Sequence, residues 1–214
     1  MVEGSFVADQ RRYATLFAKG EDRRQRILAV AQRLVTRNGG RGTTLGQIAQ
    51  EAGVTPAGLL HHFESKEQLL HAVLDTRDAD DLANADLYGD IIEQLERVSE
   101  RYQRAPDLIG MFTVLQTENL DPDAPLHNRF LRRYRDGVAI IADVIRRGQQ
   151  AGRYRADLDP AVKAVEIMAF LHGMETSWLL DPSIPLTDVF RGYTSSLARQ
   201  LALSPQSGTR CGPG

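Results

Sequence analysis

A chain of 214 residues, 42% hydrophobic and 25% charged, has the make-up of a globular protein with a real core. Its single cysteine, Cys211, excludes an intrachain disulfide and a cysteine metal cluster; no apolar run approaches the roughly 20 residues of a membrane span, and the opening MVEGSFVADQRRYATLF lacks a signal peptide's apolar stretch, so a cytoplasmic protein off the membrane is expected. The formal net charge of −2 hides an asymmetry: residues 1–66 carry 10 Lys+Arg against 6 Asp+Glu, and the remainder 16 against 22, which suits a nucleic-acid-facing front and a body that stays off DNA.

Residues 1–20 show no clear period and read as a flexible arm. Arg11 and Arg12 there are either minor-groove contacts or part of a tail without a role. From Glu21 to Asn38 the pattern is helical, with Ile27, Leu28, Ala31, Leu34 and Val35 on one stripe and Arg23, Arg24, Arg26, Arg33 and Arg37 outside it. Asn38-Gly39-Gly40 ends that helix. Three helix starts follow in quick succession. Thr44 caps the first, with Gln47 placed for a capping box, and Gly53 stops it in a left-handed turn. Thr55 caps the second, with Pro56 at its first position, and Leu59 and Phe63 form its inward line. Ser65 caps the third, with Gln68 three residues on, and Leu69, Leu70, Val73 and Leu74 continue it. Two short helices and a tight turn make a helix-turn-helix, a DNA-reading device.

With Leu59 and Phe63 inward, Thr55, Pro56, Ala57, Gly58, His61 and in part Leu60 and His62 face outward. Small residues near the helix start let the backbone approach base edges. Thr55 can hydrogen-bond a base or phosphate, and Pro56, Ala57 and Leu60 can meet a thymine methyl. Neighbouring His61 and His62 diverge by about 100° on a helix and do not chelate together, so no metal is expected. Lys66 is one of three lysines and sits in the first turn of its helix, the wrong end for a cation. Either a DNA phosphate holds it there, or it is solvated.

The segment GVTPAGLLHHFESKEQLLHAVL, after TTLGQIAQEA and an amphipathic first helix, resembles the DNA-binding domain of the TetR (tetracycline-repressor) family over about residues 21–75. The resemblance implies an all-α dimeric regulator, usually a repressor, released from its operator by a small ligand. By position it implies DNA contacts at Thr44, Thr55, Pro56, Ala57, Gly58, Leu60, His61, His62 and Lys66. Leu60 stands where the family most often has a phosphate-touching tyrosine, and Gly46 where a polar or basic residue is common.

Beyond Thr76 a run of aspartates reads as a solvated helix end and linker, with Tyr88-Gly89 as a break. The body domain, 76–203, reads as five further helices over 87–203, followed by a disordered tail at 204–214. Pro106 opens one, and Asp121-Pro122-Asp123-Ala124-Pro125 is a loop. Asp159-Pro160 caps another, which is apolar on most sides up to Leu180 and must be buried twice. That helix and the last one are the expected homodimer interface, a four-helix bundle across a two-fold axis. Such a dimer sets two heads roughly 34 Å apart on a palindromic double-stranded operator. Met111, Phe112, Leu115, Phe130, Tyr134, Met168 and Trp178 are candidate ligand contacts as well as candidate core. Glu118, His172 and Glu175 are polar groups on apolar stripes; they serve either a small organic effector or each other. No cofactor or enzymatic motif is expected. The expected function is a ligand-responsive transcriptional regulator. The alternatives are a helix-turn-helix protein whose body makes only protein contacts and, further off, an all-helical enzyme.

Overall fold

The computed structural model describes residues 3–84 and 89–203. Among them every regular element is a helix: α1 (Glu3–Gly42), α2 (Leu45–Ala52), α3 (Pro56–His62), α4 (Lys66–Asn84), α5 (Ile91–Arg104), α6 (Pro106–Glu118), α7 (His127–Gln150), α8 (Pro160–Leu180) and α9 (Leu186–Leu201). The expected tail at 204–214 and Tyr88 of the expected break lie outside the described residues, as do the side chains of Arg11 and Arg12.

Two compact units form. The first holds residues 3–84 and 107–128; the second holds 89–106 and 129–203. This corrects the expected boundary at residues 75 and 76 in two ways. The lever helix α4 runs on to Asn84, because its aspartates are no helix breakers and buried Arg77 pairs with Asp81 one turn on, Nε to Oδ2 3.2 Å. Helix α6, expected in the body, joins the first unit.

In the first unit the stripe Ile27, Leu28, Ala31 and Val35 is buried, with α1 packed on α2 and α4. Burial of this shared apolar face stabilises short helices that propensity alone would leave marginal. The N-terminal arm is corrected too: the backbone of residues 3–20 continues α1. Those residues contain no proline, and alanine, leucine, glutamine and arginine there favour a helix. Near its end α1 is interrupted at Gly39, with φ 77° and ψ 164°, a conformation open to glycine alone.

The second unit is built on Ile91, Leu95, Val144, Ile145, Tyr154, Ile167, Leu197 and Leu201. Asp90 caps α5 through Ile92 N–H (2.8 Å) and accepts the Tyr154 hydroxyl at 2.6 Å. Burial and that bond push the Tyr154 phenol well up. A Cβ on Gly148 would lie 2.2 Å from the Tyr154 ring, so the ring's position requires the glycine. Phe170 stacks on Tyr193 at 3.6 Å, and Tyr102 meets Phe190 edge-on at 5.9 Å. Asp159 caps α8 as expected, accepting from Ala161 N–H at 2.8 Å.

Candidate nucleic-acid interface

The head assembles from local rules. Thr44 accepts from Gln47 N–H at 3.2 Å, and the Gln47 side chain accepts from Thr44 N–H at 2.9 Å, a complete capping box. Gly53 ends α2 at φ 66°, and its N–H and that of Val54 return to the helix's last carbonyls. Thr55 caps α3 through Gly58 N–H at 3.0 Å, with Pro56 in the first turn. Leu59 and Phe63 are buried, which fixes the rotation of α3 about its axis.

That rotation turns Thr55, Pro56, Ala57 and His61 outward, with Gly58 and His62 half-buried beside them. Leu60 is also outward, 46% exposed. The Thr55 oxygen accepts the cap bond and leaves its hydroxyl hydrogen for a phosphate or base. Thr44 is less available, because its hydroxyl donates back to Gln47 Oε1 at 3.0 Å. The rings of His61 and His62 stand 5.7 Å apart and 68° out of parallel. His62 titrates below the usual imidazole range because burial strips its water, and His61, Arg23 and Arg24 repel a further cation.

Two features of this surface escape a reading by periodicity. Arg23 and Arg24 of α1 lie close enough to bias His62, and the Arg24 guanidinium sits 5.3 Å from the Phe63 ring centroid. The α1 end is gripped from α6. Glu118 Oε2 accepts from Gly40 N–H at 2.8 Å and Arg41 N–H at 3.3 Å, and Arg41 Nη2 donates to the Glu118 carbonyl at 3.0 Å. Lys66, expected to be held by a phosphate or else solvated, has an acceptor in the chain: its Nζ lies 3.4 Å from the Arg41 carbonyl.

A helix-turn-helix with a small-residue reading face, fixed by caps on both helices, is a groove-reading geometry. The family profile described as "Bacterial regulatory proteins, tetR family" matches residues 27–73, the head just described. Over residues 27–73 the chain belongs to the tetR family. Among curated relatives, the HTH-type transcriptional regulator TtgR of Pseudomonas putida is 27% identical over 209 residues, covering 87% of this chain and 95% of the relative. Two solved structures share the fold. NalD, the secondary repressor of the MexAB-OprM multidrug efflux pump in Pseudomonas aeruginosa, aligns with TM-score 0.71 and 20% identity over 86% of this chain and 98% of its own. FadR from Bacillus subtilis, in complex with stearoyl-CoA, aligns with TM-score 0.65 and 18% identity over 83% and 98%. As a tetR-family member the chain is a DNA-binding transcriptional regulator.

The expected effector residues of this tetR-family chain divide between its two units. Met111, Phe112, Leu115 and Glu118 lie on α6 in the first. The first three are buried, with Arg77 5.0 Å from the Phe112 ring centroid. Glu118 was expected to serve an effector or the other polar groups; its carboxylate accepts from backbone N–H groups, as above. Phe130, Tyr134, Met168, His172, Glu175 and Trp178 lie in the second unit. There the Tyr134 and His172 rings stand 6.0 Å apart, and a Cβ on Gly137 would lie 3.5 Å from Met168 Cε. Phe130 and Glu175 are buried, while Tyr134, Met168, His172 and Trp178 keep part of their surface open.

Proposed function

We propose that the chain is a cytoplasmic homodimeric repressor that binds a palindromic operator and releases it when a small organic molecule binds the helical body. The observation that carries this reading is the outward face of α3, Thr55, Pro56, Ala57 and His61, held in place by buried Leu59 and Phe63. Thr55 to Gly58 enter the major groove; His61, His62 and Lys66 meet phosphates; Leu60 makes apolar contact with a thymine methyl. Thr44 contributes its backbone end of α2 rather than its hydroxyl.

Dimerisation through α8 and α9 is supported by exposure. Val162, Val165 and Leu180 on α8 are 57%, 44% and 86% exposed in the single chain, on a helix whose opposite side is already buried. The effector reading rests on the partly open aromatic and thioether groups Tyr134, Met168 and Trp178, with His172 beside Tyr134, and on the stearoyl-CoA held by FadR. An effector acts only through different affinity for the DNA-bound and free states.

Fluorescence anisotropy with fragments flanking the chain's own gene tests the reading. One fragment should bind far more tightly than mixed-sequence DNA, and a set of apolar organic molecules should include one that weakens that binding. If no fragment binds specifically, the repressor reading fails; if one binds and the body has no ligand, the body makes only protein contacts.

A further inference from the structure

We infer that Glu118 is a positioning residue for DNA binding, acting through Arg41 on Lys66. In the turn that joins α1 to α2, side chains hold several of the polar backbone groups. Thr43, fully buried, donates its hydroxyl to the Gly39 carbonyl at 2.7 Å. Gly40 and Arg41 donate their N–H groups to the Glu118 carboxylate at 2.8 and 3.3 Å. The Arg41 carbonyl accepts from Lys66 Nζ at 3.4 Å. Thr44, the cap of α2, comes immediately after. One residue of α6 therefore fixes both the start of the helix-turn-helix and the acceptor that orients its lysine.

The sequence spends two glycines on this contact. A Cβ on Gly39 would lie 2.3 Å from Glu118 Oε1, and one on Gly40 would lie 2.8 Å from Oε2 and 2.5 Å from Leu115 Cδ2. Two successive N–H groups converging on one carboxylate oxygen form an anion nest, filled here by the protein's own side chain. Lys66 sits at a helix N-terminus, where the dipole repels it. The Arg41 carbonyl is the partner that keeps it there, leaving its other N–H donors for a phosphate.

The sign of the effect separates this role from simple electrostatics. Removing a carboxylate from a DNA-facing unit reduces repulsion and, by charge alone, strengthens DNA binding. Loss of positioning weakens it. The inference rests on the proposed Lys66–phosphate contact, so the test uses both residues. Binding of the full chain to a labelled 30-base-pair mixed-sequence duplex is measured against salt for wild type, K66A, E118Q, E118A and E118A/K66A, with thermal unfolding alongside.

K66A should lower the salt slope by about one per head, equivalent to about eightfold weaker binding per contact at 0.1 M salt. E118A should weaken binding and lower the slope in the same way, E118Q less so because its amide oxygen still accepts one N–H. The double variant should be no weaker than K66A. If K66A leaves the slope unchanged, the phosphate contact fails and the inference with it. If K66A lowers the slope but E118A and E118Q leave binding unchanged or tighten it, or if the two losses multiply, the positioning role alone is overturned. A lower melting temperature with an unchanged slope also overturns it.

Discussion

Gly39 shows how far a single residue is fixed by distant chemistry. Its φ of 77° with ψ of 164° belongs to a region that side chains avoid, and the space a Cβ needs is taken by Glu118. Gly39→Ala should therefore cost about 1–3 kcal/mol, read as a lower urea midpoint at constant slope; an unchanged midpoint would show that the turn relaxes freely. His62 gives a pH signature. Its folded value lies below the ordinary one, so the unfolded chain takes up the proton first. Stability contributed by the neutral ring is then lost as pH falls below about 6.5. Between about pH 7.5 and about 5.5 the melting temperature of wild type should drop further than that of His62→Gln. Equal drops would place the titration elsewhere. The capping residues Thr44, Gln47, Gly53 and Thr55 were legible in the sequence, because a cap is made by neighbours three or four positions apart. The role of Glu118 was not legible, since its partner Gly40 is 78 positions away. Its place on an apolar stripe suggested an effector or a polar neighbour instead.

Helices were readable where their apolar period was strong, and misjudged where it was weak. The body's five helices, and Pro106 and Pro160 as starts, follow from caps and spacing. The first 20 residues carry no such stripe, yet their backbone extends α1, because nothing in them stops a helix already nucleated downstream. Periodicity also placed α6 in the body, since a stripe says that a helix is buried and not against what. Helix α8 carries a prediction of its own. Its exposed Val165 lies on the face proposed to meet a second copy. Val165→Asp buries a charge in each half of that interface and should shift the chain to monomer in sedimentation equilibrium with its helical circular dichroism intact. A dimer that persists would move the interface off α8.

At the scale of the molecule, the charge asymmetry agrees with the architecture: the basic stretch 1–66 contains α2 and α3, the reading helices, and the acidic remainder supplies most of the body. A dimer is also what the head's size asks for. α3 has seven residues, about 10 Å of helix, enough to read one groove segment and too little for specificity alone. Two heads one helical turn apart double that contact. The candidate effector residues form one set by chemistry, yet they separate into α6 and the second unit; residue type identifies binding chemistry but carries no information about which compact unit a helix joins.

The grip of Glu118 on the α1–α2 turn also limits modularity. A head cut at residue 75 or 84 and grafted onto another regulator's body loses α6, and with it the carboxylate that holds two backbone N–H groups and the Leu115 side chain that covers Gly40. The transplanted specificity would arrive on a loosened frame. A chimera that carries residues 107–128 along with the head should melt at a higher temperature than one that does not, and its operator preference should match the parent's more closely. The portable piece of this regulator is discontinuous, with its last part encoded well downstream of the reading helix.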